Sequence, residues 1–273
     1  MRKHLKYTLL ALAAMILLSA AIHFVAALTW DRHIHYTEIS YGSPKITPEL
    51  DGYVIAFIAD THQIPLDKLD EAVRGINAHK VDALLLGGDY DHHGPEPTLA
   101  VLSTARTTDG IFGVDGNHDD YETLAAAMQK YDMTLLGDAS HTMRPGLVFA
   151  GARNAVTLKP NPVAALMAGI PKENFVVMLM HNPDYAMRQD TTGIDLILSG
   201  HTHGGQITLF GLWAPMLWPS NHITAYGQKF MHGWAKNNRG TDMFITRGLG
   251  TYLKTPRVFA PPEVVFVTLR AQP

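Results

Sequence analysis

Apolar positions follow two regimes along the chain. From Tyr7 to Trp30 there is no Asp, Glu, Lys or Arg, and Leu9 to Leu28 is an almost continuous apolar run. At about 1.5 Å per residue, a helix of that length spans the hydrocarbon core of a bilayer. Beyond residue 51 the apolar residues come instead in short runs: Val54 to Ala59, Ala83 to Leu86, Ile111 to Val114, Leu147 to Ala150, Val176 to Met180, Leu196 to Ser199, Met243 to Thr246 and Val264 to Leu269. Runs this short predict buried strands. Between them, Pro65 opens a pattern with Leu66, Leu69, Val73 and Ile76 on one helical face. Pro97 to Ala105, Tyr121 to Gln129 and a segment around Val163 to Met167 predict further helices. Strands alternating with helices predict one α/β domain over residues 52–273, with ligands in the crevice at the strand ends. Residues 1–30 read as a membrane anchor and residues 31–51 as a polar connector.

Arg2, Lys3 and Lys6 precede the apolar run. The positive-inside bias then predicts a single-pass protein of the inner or cytoplasmic membrane, N-terminus cytoplasmic and body periplasmic or extracytoplasmic. A cleaved signal peptide is the alternative. His23, inside the run, reads as a polar residue tolerated near the outer interface rather than as a ligand. The lipid bilayer is thus an expected partner. Nucleic acid is not, because 22 Lys plus Arg against 25 Asp plus Glu leave no basic excess to hold a phosphate backbone. With no Cys, a disulfide scaffold and a cysteine zinc knuckle are both excluded. The 15 His direct the search toward metal ligands.

Five predicted strand ends carry polar tips: Asp60 with His62, Asp89, Asn117 with His118, His181, and His201 with His203. Any one of these is compatible with packing, but their recurrence is not. Carboxylates, imidazoles and an amide oxygen suit two borderline divalent ions better than calcium or an iron-sulfur cluster.

Taken in order, Asp60-Thr61-His62, Gly88-Asp89, Gly116-Asn117-His118-Asp119, His181 and Gly200-His201-Thr202-His203 resemble the motif set of the calcineurin-like metallophosphoesterase superfamily. The resemblance covers about Val54 to Leu269. It implies a four-layer α/β/β/α sandwich, here behind an N-terminal transmembrane helix. It also implies that Asp60, His62 and His203 hold one metal and Asn117, His181 and His201 the other, with Asp89 bridging them. The ions, Mn, Zn or Fe by ligand type, would clamp a phosphoryl group and activate a hydroxide. His118 resembles the superfamily's non-ligand histidine, which stabilises the transition state and protonates the leaving oxygen. Asp91, His92 and His93 read as solvated or supporting residues, and Asp120 as a helix cap.

Gly200 to Gln206 and Arg247 to Gly250 are similar to blocks of the small bacterial membrane-associated phosphodiesterase branch, which includes UDP-2,3-diacylglucosamine hydrolysis. That implies cleavage of a phosphate diester or pyrophosphate more than any one substrate; a lipid-linked substrate is expected from the membrane anchor and the apolar stretch at 209–218. A broad phosphodiesterase or phosphatase, and a noncatalytic metal-binding regulator, are the competing readings. Leu209, Phe210, Leu212, Trp213, Met216, Leu217 and Trp218 form an irregular apolar stretch, either core or a membrane-facing lip in which Trp213 and Trp218 touch substrate. Arg247 and Arg257 offer planar donor forks for phosphate oxygens, although a structural ion pair suits Arg257 equally.

Overall fold

A computed structural model describes residues 2–91, 94–154, 162–218 and 223–272; His92 and His93 lie outside them. The chain begins with α1 (Arg2–Leu28) and continues through β1 (His35–Ser43), β2 (Val54–Ile58), α2 (Leu66–Ala78), β3 (Ala83–Leu86), α3 (Glu96–Leu102), β4 (Gly110–Gly113), α4 (Tyr121–Lys130), β5 (Thr134–Leu135) and β6 (Ala139–Arg144). It then runs through β7 (Leu147–Gly151), α5 (Pro162–Ala168), β8 (Phe175–Leu179), α6 (Pro183–Ala186), β9 (Leu196–Ser199), β10 (Gly233–Lys236), β11 (Asp242–Ile245) and β12 (Glu263–Ala271). Two mixed six-stranded sheets result, ordered β1-β12-β2-β3-β4-β5 and β10-β11-β9-β8-β7-β6.

Side-chain alternation explains the layering. Ile55 and Phe57 of β2 point between the sheets, against Phe149, Leu179 and Leu198, while Ala56 and Ile58 point outward under Leu69, Val73 and Ile76 of α2. The outer face of the second sheet is covered by Val163, Ala186 and Phe230. The central strands are buried on both faces, so their sequences are uninterrupted apolar runs. The result is the expected α/β/β/α arrangement.

The polar segment at 31–51 differs from expectation. It contains β1, which pairs in parallel with β12 from His35↔Glu263 to Ser43↔Ala271. As an edge strand with alternating half-buried and exposed residues, β1 lacks the apolar run that marks the interior strands. The edge strands β6 and β10 lack an apolar run for the same reason.

Among the described residues, α1 is the one helix long and apolar enough by composition to cross a membrane. Its far end docks on the body. Buried Asp31 accepts hydrogen bonds from the backbone N–H groups of Phe259 and Ala260 at 2.7 and 2.9 Å. His23 packs edge-on to Phe210 and Phe259, with ring centroids 4.5 and 5.0 Å away. The histidine read as merely tolerated is therefore part of a helix-to-body contact.

Candidate metal centre

Parallel register brings the polar tips together. Ile58 pairs with Leu86 and Leu86 with Gly113, so the segments that follow β2, β3 and β4 leave the first sheet side by side. In the second sheet Leu179 pairs with Leu198, so His181 and His201 emerge together. Hydrogen bonds tie the loops: Asp60 N–H donates to Gly88 O at 2.9 Å and Gly200 N–H to His181 O at 3.0 Å. The backbone is bent to aim these side chains, with positive φ at Asp60, His62, Asp89, His201 and His203. Non-glycine residues enter that left-handed region at a steric cost, and such residues cluster at functional sites. Two motif glycines have a steric reason: a Cβ on Gly116 would strike the Asp89 carboxylate, and one on Gly200 the Asp60 carboxylate.

Two groups of donors converge. Ligand atoms of Asp60, His62 and His203 lie within 4.8 Å of one another, and so do those of Asp89, His181 and His201. The Nε2 atoms of His62 and His203 face each other at 3.1 Å. Asp89 Oδ2 lies between the groups, 3.5 Å from His62 Nε2 and 3.2 Å from His181 Nε2. The Asn117 amide oxygen is 3.2 Å from His181 Nε2, which brings it into the second group.

Surrounding hydrogen bonds orient these donors. His181 Nδ1 sits 2.7 Å from Gly87 O and His201 Nε2 2.9 Å from Ile223 O; each carbonyl takes the ring proton, leaving the other nitrogen's lone pair for the centre. Both Asp60 oxygens accept from His201 N–H, and Asp89 Oδ1 accepts from His118 N–H at 2.9 Å. Asp119 accepts from the backbone N–H groups of Asp89, Tyr90 and Gly116, so it braces the loops around the centre. Asp120 caps α4, as expected, by accepting from Thr123 N–H.

Electrostatics favour cations here. Burial pushes the Asp60 carboxyl up, and the neighbouring Asp89 charge adds to that, while His181 opposes it. Burial acts on Asp89 as well, but the imidazoles of His181 and His62 outweigh it and hold the carboxylate charged. His201 is lowered to about 4 by burial and then by His181; His203 falls well below its ordinary value through burial, His62 and Arg257. The neutral imidazoles of His201 and His203 beside a charged carboxylate fit divalent cations; burial would lower His181 too, but Asp89 outweighs it and raises that imidazole to about 10, a proton whose place a cation beside Asp89 would take.

Both groups open on a cavity of about 170 Å³, lined by Asp89, Asn117, His118, His201 and His203 and also by Met216, Leu217, Ile223 and Tyr252. His118 is exposed at the opening. Tyr252 was not singled out from sequence. Its ring lies 5.7 Å from that of His118, and Gln206 holds its backbone through paired hydrogen bonds, accepting from its N–H at 2.8 Å and donating to its carbonyl at 3.0 Å. Its one sequence signal is its place two residues after the Arg247 to Gly250 block. That block abuts the centre through its backbone, since Gly250 N–H donates to Asp60 O at 2.7 Å.

The expected phosphate-holding arginines are engaged elsewhere. Arg257 is 3% exposed, and its guanidinium donates to the carbonyls of His203, Arg247, Gly248, Gly250 and Ala260. Arg247 donates to buried Glu263 at 2.9 Å. Neither lines the cavity, and both brace the loops around it. Trp213 and Trp218 are also absent from its lining: they sit 6.3 Å apart outside it, and Trp218 is 65% exposed.

Two sheets that bring two groups of candidate cation ligands together at their strand ends are consistent with a binuclear metal hydrolase. The chain belongs to the calcineurin-like phosphoesterase family: residues 53–205, more than half its length, match that family. It is a metal-dependent phosphoesterase. Over 99% of its length it is 29% identical to the Bacillus subtilis protein named uncharacterized metallophosphoesterase YkuE, of which it covers 97%. An uncharacterized metallophosphoesterase of Helicobacter pylori is 29% identical over 79% of the chain, which spans 59% of that relative. Phosphodiesterase YaeI of Escherichia coli is 27% identical over 80% of the chain, with 82% of that protein covered.

Proposed function

We propose that the two cation sites act as one unit on a phosphodiester or pyrophosphate bond of a lipid-linked substrate such as UDP-2,3-diacylglucosamine. The observation that carries the reading is Asp89 Oδ2, within 3.5 Å of ligands on both sides. In this reading Asp60, His62 and His203 hold one ion, Asn117, His181 and His201 the other, and Asp89 is shared. Bound divalent ions, Mn, Zn or Fe, would supply Lewis acidity, polarising a phosphoryl oxygen and making water acidic enough to attack at neutral pH. His118, fixed through its backbone N–H on Asp89, presents its ring to the opening and hands a proton to the leaving oxygen as the new P–O bond forms and the old one breaks. Met216 and Leu217 give the cavity an apolar wall suited to the non-phosphate part of a lipid. The name of the Escherichia coli relative supports diester chemistry. In the same reading α1 crosses the inner or cytoplasmic membrane once, with Arg2, Lys3 and Lys6 inside and the catalytic body outside.

The test is hydrolysis by detergent-solubilised protein, loaded with Mn or Zn, of bis-p-nitrophenyl phosphate, p-nitrophenyl phosphate and UDP-2,3-diacylglucosamine, with Asp89→Ala and His118→Ala as controls. Preference for the lipid pyrophosphate, abolished in Asp89→Ala and reduced in His118→Ala, is the expected outcome. Turnover confined to the small diester would remove the lipid part of the proposal. A tag fused after Pro273 that proved cytoplasmic would reverse the orientation.

A further inference from the structure

We infer that the hairpin from Leu209 to Trp213 is a second membrane-inserting element, immersed in the outer leaflet beside α1. The inference rests on the reading of α1 as a membrane-crossing helix. It begins from position. Leu209 lines one groove with Met15, Ile16, Ser19, Ala20 and His23 of α1, and Phe210 packs on His23. At about 1.5 Å per residue, these α1 positions lie roughly 8 to 20 Å along the helix from Leu28 toward the cytoplasmic end. One leaflet of hydrocarbon is about 15 Å deep. If Leu28 stands at the outer boundary, the hairpin that touches these positions stands in the hydrocarbon with them.

The hairpin's chemistry suits that depth. Leu209 and Phe210 are each 47% exposed and Leu212 is 81% exposed, more than water-facing residues of this size usually leave uncovered together. No Asp, Glu, Lys or Arg occurs between Asp195 and Lys229. Backbone groups in hydrocarbon need internal partners, and three of the hairpin's N–H groups have them. Leu209 N–H donates to Trp213 O at 2.7 Å, Leu212 N–H to Leu209 O at 3.0 Å and Gly211 N–H to Thr208 Oγ1 at 2.8 Å. Trp218 follows as an exposed indole of the kind that settles at the lipid boundary.

The consequence reaches the metal centre. Met216 and Leu217, between the hairpin and Trp218, form part of the cavity wall. Asp31 and Arg257 tie the other side of the loop cluster to the end of α1 and to the His203 carbonyl. The cavity is thus held at the lipid boundary, rather than swinging on a tether, and a phosphoester carried by a leaflet lipid can reach it without leaving the membrane.

The full-length Trp30→Phe, Trp234→Phe variant leaves Trp213 and Trp218 as the only tryptophans. In proteoliposomes whose phosphatidylcholine carries bromine on the acyl chain, their emission should fall by about half relative to unbrominated vesicles, as for indoles at or below the boundary. Acrylamide in the water should quench them weakly. Leu212→Asp should reverse both effects while leaving turnover of bis-p-nitrophenyl phosphate in detergent unchanged. Carbonate extraction in parallel reports whether α1 holds the protein in the bilayer. Membrane-retained protein whose tryptophans ignore bromolipid and respond fully to acrylamide would overturn the inference and leave the anchor intact. Release by carbonate with no bromolipid quenching would overturn both. Bromolipid quenching without hydrolysis of a lipid substrate would sustain the inference and defeat the lipid-substrate proposal.

Discussion

His62 and His203 present their Nε2 atoms to each other across 3.1 Å, and Asp60 Oδ1 lies 4.0 and 3.5 Å from the two. With His203 held neutral by burial, these nitrogens gain most from a cation that accepts both lone pairs. His203→Ala should therefore lower bound metal from about two ions to about one, measured by elemental analysis of purified protein. Asp89→Ala should lose both, and activity should fall by more than the roughly 10- to 100-fold that loss of an outer-shell partner costs. Retention of two ions by Asp89→Ala would remove its bridging role.

Chelation should stop hydrolysis and lower the melting temperature, because a bound ion stabilises the folded state that binds it. Asp60, His62 and His203 are buried, with ligand atoms that converge on one point. Re-addition of Mn or Zn should restore both properties. A melting curve insensitive to chelator would show that the ions contribute nothing to folding.

His118 touches the centre through its backbone and the cavity through its ring. His118→Ala should keep its metals yet lose about 10²- to 10⁴-fold in turnover when the leaving group is an alcohol. The loss should be smaller for p-nitrophenolate, a weaker base that needs less proton help. Equal losses on both leaving groups would argue against proton donation.

Arg257 has the burial and the partners of a structural residue. Arg257→Met should lower stability by about 3 kcal/mol or more, since five carbonyls lose a charged donor in a buried site. Arg257→Lys should recover part of the stability with KM close to wild type. A raised KM with an unchanged melting temperature would instead return Arg257 to phosphate binding.

Glu263 is fully buried among Thr37, Thr246, His232 and Arg247. Burial alone would raise its pKa, but His232 and Arg247 bring it down to about 2. Because the folded value lies below the unfolded one, the charged group stabilises the fold above about pH 4.5, and that contribution disappears as pH falls toward 2. Wild type should exceed Glu263→Gln by about 3 kcal/mol near neutrality. The gap should close in acid melts; a gap independent of pH would show that the carboxylate charge is not its source.

Much of the centre is legible in the sequence itself. Interior strands buried on both faces must be short apolar runs, and a metal site at their ends must interrupt those runs with Asp, His and Asn. Asp60, Asp89, Asn117, His181, His201 and His203 therefore stood out against the strands preceding them. Edge strands such as β1 have no such contrast, because one side faces solvent and alternation dilutes the signal.

The chain by itself determined the α/β alternation, the long apolar helix and the chemical type of the centre, since each is carried by residues close in sequence. Tertiary structure decided which distant residues meet. It put Asp89 between His62 and His181, brought Tyr252 beside His118, and turned Arg247 and Arg257 away from the cavity toward Glu263 and the backbone. It also set Phe210 against His23 of α1. An arginine's partner, or the depth at which a loop meets a helix, depends on contacts between residues far apart in the chain. Local periodicity does not encode those contacts; packing of the two sheets creates them.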